Sequence, residues 1–247
     1  MKNFLRALFL KLGLEVRRTG AVAFDMYSDK EFMAVFERCK PFTMTSVERM
    51  YSLYQAIRYV IQRGIPGDIV ECGVWRGGST MLCCEVMRAM GEVSRGVYLY
   101  DTYTGMAEPS DVDVDAQGNP AKAVWKRRNR GDHNEWVYAS LDEVRANLLG
   151  TGYPESKLHF VKGKVEETIP LVAPEQIALL RLDTDFHAST LHELMHLYPR
   201  IAPSGILILD DYGAWKGARP AVDQYFSEHG PVLLNRIDSG GRLVFRA

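Results

Sequence analysis

From residue 47 onward, short apolar runs alternate with amphipathic stretches. The runs "DIVEC" (68–72), "GVYLYD" (96–101), "KLHFVKG" (157–163), "IALLRLD" (177–183) and "GILILDD" (205–211) have the length and composition of buried strands. Between them lie segments with helical spacing. Met50, Leu53, Ala56, Ile57, Val60 and Ile61 form one stripe in "VERMYSLYQAIRYVIQRG". Thr45 or Ser46 stands ready as its N-cap, Glu48 sits in its first turn, and Gly64 and Pro66 end it. Further helices are predicted over residues 81–90, over "SLDEVRANLLG" with Ser140 as cap and Gly150 as stop, near 165–168, over "STLHELMHLYPRI" and over "ARPAVDQYFSEHG". Two short strands around Ser239-Gly-Gly241 read as a closing hairpin. Alternating β and α units mean an α/β doubly wound, mostly parallel sheet of seven strands, here with a C-terminal antiparallel hairpin and an N-terminal helical extension. The expected division is an extension over 1–42 and the α/β domain over 43–247.

Residues 103–134 break the pattern. They are polar, rich in Gly, Pro and Asp, and lack periodicity. A long irregular stretch after the carboxyl end of a strand is predicted to be a lid or substrate loop. The N-terminal "MKNFLRALFLKLGLEVRR" places Phe4, Leu5, Leu8, Phe9, Leu12 and Leu14 at helical spacing. Lys11 interrupts the run, which is too short to span a membrane, and no small-residue cleavage site follows. It reads as a packing or oligomer-contact helix rather than a membrane-surface one.

Composition narrows the class. The chain is 47% hydrophobic and 25% charged, with Lys+Arg 30 against Asp+Glu 31. That balance lacks the basic excess of a nucleic-acid binder. Cys39, Cys72, Cys83 and Cys84 include no CxxC pair, and the last three fall in apolar context. Buried free thiols in a reducing, cytoplasmic setting are the expectation.

The candidate chemistry sits at strand ends. "GDIVECGVWRGGST" is a strand that breaks on Gly73, Gly77 and Gly78 and feeds a helix. Glycines admit close approach to backbone, and the free N–H groups of a helix start favour a nucleotide-like ligand. The dinucleotide fingerprint G-x-G-x-x-G and the Walker loop are both absent. No G-x-S-x-G elbow occurs, which argues against acyl transfer. Asp101 ends the next strand, about one βαβ unit on, where an acid can bind ribose hydroxyls. Glu71, Asp101, Asp183, Asp185, Asp210 and Asp211 all fall at strand carboxyl ends and are predicted to line one crevice. Carboxylates gathered there repel unless a cation or proton compensates, and hard oxygen donors suit Mg²⁺. Capping of following helices is the competing role for these acids. Trp125, Trp136 and Tyr138 are candidates for stacking on a sugar or aromatic face, with core packing equally consistent.

The stretches "TMTSVERMYSLYQAI", "GDIVECGVWRGGS", "YLYDTYTGM", "LLRLDTDFHAST", "LYPRIAPSGILILDDYG" and "ARPAVDQYF" together resemble the macrocin O-methyltransferase family over residues 43–230. That resemblance implies a class I methyltransferase fold and a metal-dependent enzyme that moves the methyl group of S-adenosylmethionine to a sugar hydroxyl. The acceptor would be a small molecule or glycan, such as a glycosylated natural product or a polysaccharide. It implies that Glu71, Gly73 and Ser79 hold the methionine part, Asp101 and Thr102 the ribose, and that Met44 and Thr45 close over the cofactor. Asp183, Asp210 and Asp211 would bind Mg²⁺, with Asp185 as general base. Asp183 and Asp185 can exchange those two roles on sequence alone.

The chain departs from the family's Asp-Gly-Asp-Leu-Tyr-Glu-Ser. Here Thr184 replaces the glycine, and His187 and Ala188 replace the tyrosine and an acid. Lys164 follows Gly163 where an acid or aromatic is usual. His187 and His133 remain minor candidates as bases. A catechol-type methyltransferase acting on a small diol is a competing reading, although Phe186 stands where such enzymes carry a lysine base. An NAD-dependent sugar oxidoreductase is another, although it lacks its glycine fingerprint.

Overall fold

The computed structural model describes residues 24–115 and 117–247. The chain divides into two compact units, Met1–Ala34 and Val35–Ala247. The amphipathic helix expected within the first 23 residues lies outside the described residues. Of the first unit, a helix α1 (Phe24–Ser28) and the start of α2 (Lys30–Cys39) are described.

The second unit is built on one seven-stranded sheet in the order β3-β2-β1-β4-β5-β7-β6. Its strands are β1 (Asp68–Cys72), β2 (Val97–Asp101), β3 (Leu158–Lys162), β4 (Ile177–Leu182), β5 (Ile201–Leu209), β6 (Asn235–Arg236) and β7 (Arg242–Phe245). All pairings among β1 to β5 are parallel, and β7 runs antiparallel between β5 and β6. The predicted doubly wound sheet with its terminal hairpin is therefore present. β5 starts earlier than the apolar pattern suggests, at Ile201, and a register irregularity between Ile177 and Leu179 takes up the extra length.

Its helices are α3 (Val47–Gln62), α4 (Gly78–Ala89), α5 (Ala121–Arg128), α6 (Leu141–Leu149), α7 (Val165–Thr168), α8 (His187–Leu197) and α9 (Ala218–His229). Ser46 caps α3, its hydroxyl accepting from the Arg49 amide, and Ser140 caps α6 in the same way. α4 begins at Gly78, ahead of the predicted start, because Gly77 takes φ +90° and turns the chain directly into the helix. The stretch read as irregular contains α5, whose buried Ala121 gives only a weak apolar face.

Side chains alternate across the sheet. Val70, Leu180 and Leu207 join the main core with Leu194 and Leu197 of α8 and Val222, Tyr225 and Phe226 of α9. Glu71 and Arg181 take the other parity and face α4, where Thr80 bonds Glu71. Strand order reverses direction between β1 and β4, and a ligand crevice forms outside the strand ends at such a switch point. Among the described residues, no helix is long and apolar enough to cross a membrane.

Candidate active site

A cavity of about 430 Å³ opens at that switch point. It is lined at one end by Gly73, Val74, Trp75, Gly78, Ser79, Asp101 and Thr102, and Met44 and Thr45 also border it. Asp183, Asp185, Asp210 and Asp211 line the same cavity. Of the strand-end acids predicted to share one crevice, Glu71 alone is not in its lining.

The glycine turn is built from both strands beside it. Gly73 donates its N–H to the Tyr100 carbonyl, 2.9 Å away, and has φ +80°. A Cβ there would lie 1.9 Å from the Asp183 carbonyl oxygen. The space that glycine leaves is thus filled by the β4 loop rather than by ligand, although Gly73 still borders the cavity. Asp101 anchors the turn. Its carboxylate accepts from the amides of Val74 (2.8 Å), Trp75 (3.1 Å) and Tyr103 (2.8 Å). Burial raises its pKa, and those amides oppose the rise. The Thr102 hydroxyl donates to the Gly105 carbonyl at 2.6 Å, at the start of the stretch expected to be a lid. Ser79 is buried, its hydroxyl 3.8 Å from the Met50 sulfur. Met44 is 65% exposed at the mouth, while the Thr45 hydroxyl accepts from Arg181 at 3.0 Å.

Arg181 is the residue that sequence reasoning passed over. It lies in a strand read as wholly apolar, and its side chain is 4% exposed. Cross-strand register sets it beside Glu71, whose carboxylate it meets at 2.5 Å. The same guanidinium reaches Asp183 at 2.8 Å and Asp210 at 2.7 Å. Arg49 closes on the other oxygen of Asp210, and its Nε donates to Asp238 at 2.8 Å. A lone charge inside an apolar strand was the available signal, since a buried guanidinium demands acidic partners. Glu71 is buried outside the cavity lining, with one carboxylate oxygen accepting from Arg181 and the other from Thr80.

Asp183, Asp210 and Asp211 each turn one carboxylate oxygen toward a common point, all within 4.8 Å of one another. Burial first, and then mutual repulsion, hold Asp183 and Asp211 well above the usual carboxylate range, with Arg181 opposing. Asp185 has φ +67°, a position uncommon for a residue with a side chain. Its amide donates to Asp211 at 3.2 Å. Burial and the Asp183 charge push its pKa up to about 8, against hydrogen bonds with Asp211 and the Trp215 side chain. An oxygen-only, charge-rich donor set of this kind fits a hard divalent cation.

The other candidates fall away from the chemistry. His187 presents only its backbone, its amide donating to Asp113 at 2.8 Å, and it does not border the cavity. His133 pairs with Asp132 at 2.7 Å in a hollow that adjoins the main cavity through residues such as Thr102, Glu108 and Lys164 but holds none of the acid cluster. Trp125 donates its indole N–H to the Met106 carbonyl at 2.8 Å and lines that same hollow. Tyr138 is 43% exposed against His133. Trp136 does border the main cavity. Thr184, which stands where the family has glycine, donates to the buried Glu193 at 3.1 Å.

The strand order, the terminal hairpin and the cavity at the β1/β4 switch point define a class I methyltransferase. The chain matches the macrocin-O-methyltransferase (TylF) family model over residues 15–245, and it belongs to that family. It is 35% identical over 200 residues to the 8-demethyl-8-(2,3-dimethoxy-alpha-L-rhamnosyl)-tetracenomycin-C 4'-O-methyltransferase of Streptomyces olivaceus, covering 81% of this chain and 73% of the relative. It is 32% identical over 190 residues to the mycinamicin III 3''-O-methyltransferase of Micromonospora griseorubida, covering 76% and 71%. The solved structure of the O-methyltransferase NovP superposes with a TM-score of 0.72 at 31% identity, covering 83% of this chain and 82% of that one. The chain is an O-methyltransferase.

Proposed function

We propose that this enzyme moves the methyl group of S-adenosylmethionine to a sugar hydroxyl of a glycosylated natural product or polysaccharide, with Mg²⁺ held by Asp183, Asp210 and Asp211. One observation carries the reading. Asp185, its pKa raised to about 8, shares one cavity with the three-carboxylate cluster and with the glycine turn. A relative whose printed name carries a rhamnosyl group, beside one named as a mycinamicin III 3''-O-methyltransferase, supports the same acceptor class.

Met44, Thr45, Gly73, Ser79, Asp101 and Thr102 would surround the cofactor, with Glu71 buried outside the lining. When bound, Mg²⁺ supplies positive charge that makes a neighbouring hydroxyl more acidic. Asp185 would take the hydroxyl proton on its carboxylate as the oxygen forms its bond to the methyl carbon, the carbon–sulfur bond breaking in line and S-adenosylhomocysteine leaving as the neutral thioether. Arg181 keeps Asp183 and Asp210 aimed at the cation, and the cavity walls hold both reactants side by side. The reaction needs no nucleic acid and suits a cytoplasmic enzyme with a small-molecule acceptor.

The test combines calorimetry with a transfer assay using isotope-labelled S-adenosylmethionine and a rhamnosylated acceptor. Cofactor binding at micromolar level and Mg²⁺-dependent label transfer are expected. Absence of cofactor binding, or full turnover in excess chelator, would overturn the reading.

A further inference from the structure

Three loops that are far apart in sequence bring their aromatic rings together at the end of the cavity beyond Asp185. Trp136 comes from the segment just after residues 103–134, Phe186 from the turn after β4, and Trp215 from the turn after β5. Their ring centroids form a near-equilateral triangle, 6.1 Å for Trp136–Phe186 and 5.8 Å for each of the other two pairs. Phe186 is buried, but both indoles are only half-buried and border the cavity. A core cluster would hide all three, so two indoles facing open space beside the base are placed for a ligand.

The lid is fastened to this wall by one buried acid. Asp113 is 1% exposed. One carboxylate oxygen accepts from the His187 amide at 2.8 Å and thereby caps α8, whose own preceding residue offers no side-chain cap. The other accepts from the Ser110 amide at 2.8 Å and the Ser110 hydroxyl at 2.6 Å. A Cβ on Gly217 would come within 2.2 Å of Asp113, so the turn after β5 also closes on it. The Lys216 amide donates to the Val114 carbonyl at 3.0 Å, and Trp215 bridges Asp115. Lid, β4 turn and β5 turn thus meet at a single side chain.

We propose that Trp136 and Trp215 form the platform for the acceptor's pyranose ring, that this ring is uncharged, and that Asp113 is the positioning residue that closes the lid onto the platform. The proposal rests on the reading of the enzyme as a sugar O-methyltransferase. The C–H face of a pyranose is apolar and packs on an indole, while its hydroxyls stay at the edge, one of them facing Asp185. Charge selects for neutrality. Among the described residues, the basic ones bordering the cavity are Arg49, Lys164 and Arg181. The two arginines are committed to Asp210 and its neighbours, and Lys164 lies at the end of β3. Glu108 borders the same hollow as Lys164, so a carboxylated or phosphorylated sugar on the indoles finds no unpaired cation among the described residues there, and the carboxylates around Asp185 outnumber one divalent cation.

Full-length enzyme carrying S-adenosylhomocysteine and Mg²⁺ is titrated with methyl α-L-rhamnopyranoside, methyl β-D-glucopyranoside and methyl β-D-glucuronide, and read by saturation-transfer NMR. Transfer to ring C–H protons of the neutral glycosides and little to the glucuronide is expected. Trp136→Ala is expected to weaken neutral-glycoside binding at least tenfold with cofactor affinity by calorimetry unchanged, and Trp136→Phe to restore most of it. Asp113→Ala is expected to weaken glycoside binding and to speed hydrogen exchange at the Ala121 amide, with cofactor affinity kept. No saturation transfer to either neutral glycoside, equal binding of the glucuronide, or unchanged binding in Trp136→Ala overturns the proposal. If label transfer to a sugar persists in those cases, the sugar O-methyltransferase reading stands and only the platform is lost. If the wild type binds S-adenosylmethionine yet methylates no glycoside, both are lost.

Discussion

Asp185 owes its chemistry to its surroundings. A carboxylate in water takes up little of a hydroxyl proton near neutral pH. Burial and the Asp183 charge raise Asp185 to about 8, near the range where a general base works best. Asp185→Asn keeps the shape and removes the proposed base. It is expected to lower kcat on the order of 10²-fold or more with cofactor affinity unchanged. Steady-state kinetics beside calorimetry check this, and an unchanged kcat moves the role to Asp183. The acids themselves were legible as strand-end residues. The division of roles proposed for Asp183 and Asp185 was not, because two loop residues separated by one position can point either way. Here the positive φ of Asp185 turns it to the Asp211 and Trp215 side, while Asp183 faces Arg181.

At the scale of elements, the turn after β1 and the turn after β4 are one joint. Gly73 was read from sequence as room for a ligand. Its missing Cβ instead admits the Asp183 carbonyl, so backbone approach between neighbouring strands requires the glycine. Gly73→Ala adds a methyl group against backbone and holds it at φ +80°. It is expected to cost roughly 2–4 kcal/mol of stability and to displace Asp183 from the proposed cation site. Urea denaturation and Mg²⁺ titration would measure both effects, and wild-type values in both would refute the account of the joint. β4 carries a second coupling. Arg181 pairs with Glu71 because parallel register sets them side by side, a contact no spacing within either strand announces.

Across the whole molecule, the acid cluster makes the fold sensitive to pH. Asp183, Asp185 and Asp211 bind protons more tightly folded than unfolded, since each is raised above its ordinary value. Their contribution favours the fold at low pH and is lost as pH climbs from the usual carboxylate range through about 8. Metal-free enzyme is therefore expected to lose Tm between pH 6 and pH 9. A cation that binds only the folded state should raise Tm more at pH 9 than at pH 6. Scanning calorimetry across that range, with and without Mg²⁺, decides it; a Tm indifferent to both leaves the cluster without a cation role.

The alternation of apolar runs and amphipathic segments by itself determined the doubly wound sheet, the hairpin and the placing of acids at strand ends. Those features follow from periodicity and chain direction, which are local properties. Only the tertiary structure decided which acids converge within 4.8 Å of one another, that Glu71 lies outside the cavity lining, and that Trp136 borders the main cavity while Trp125 does not. It also decided that Asp113 joins three loops. Each of these depends on side chains that meet across large sequence separations, where register, strand order and burial set the distance.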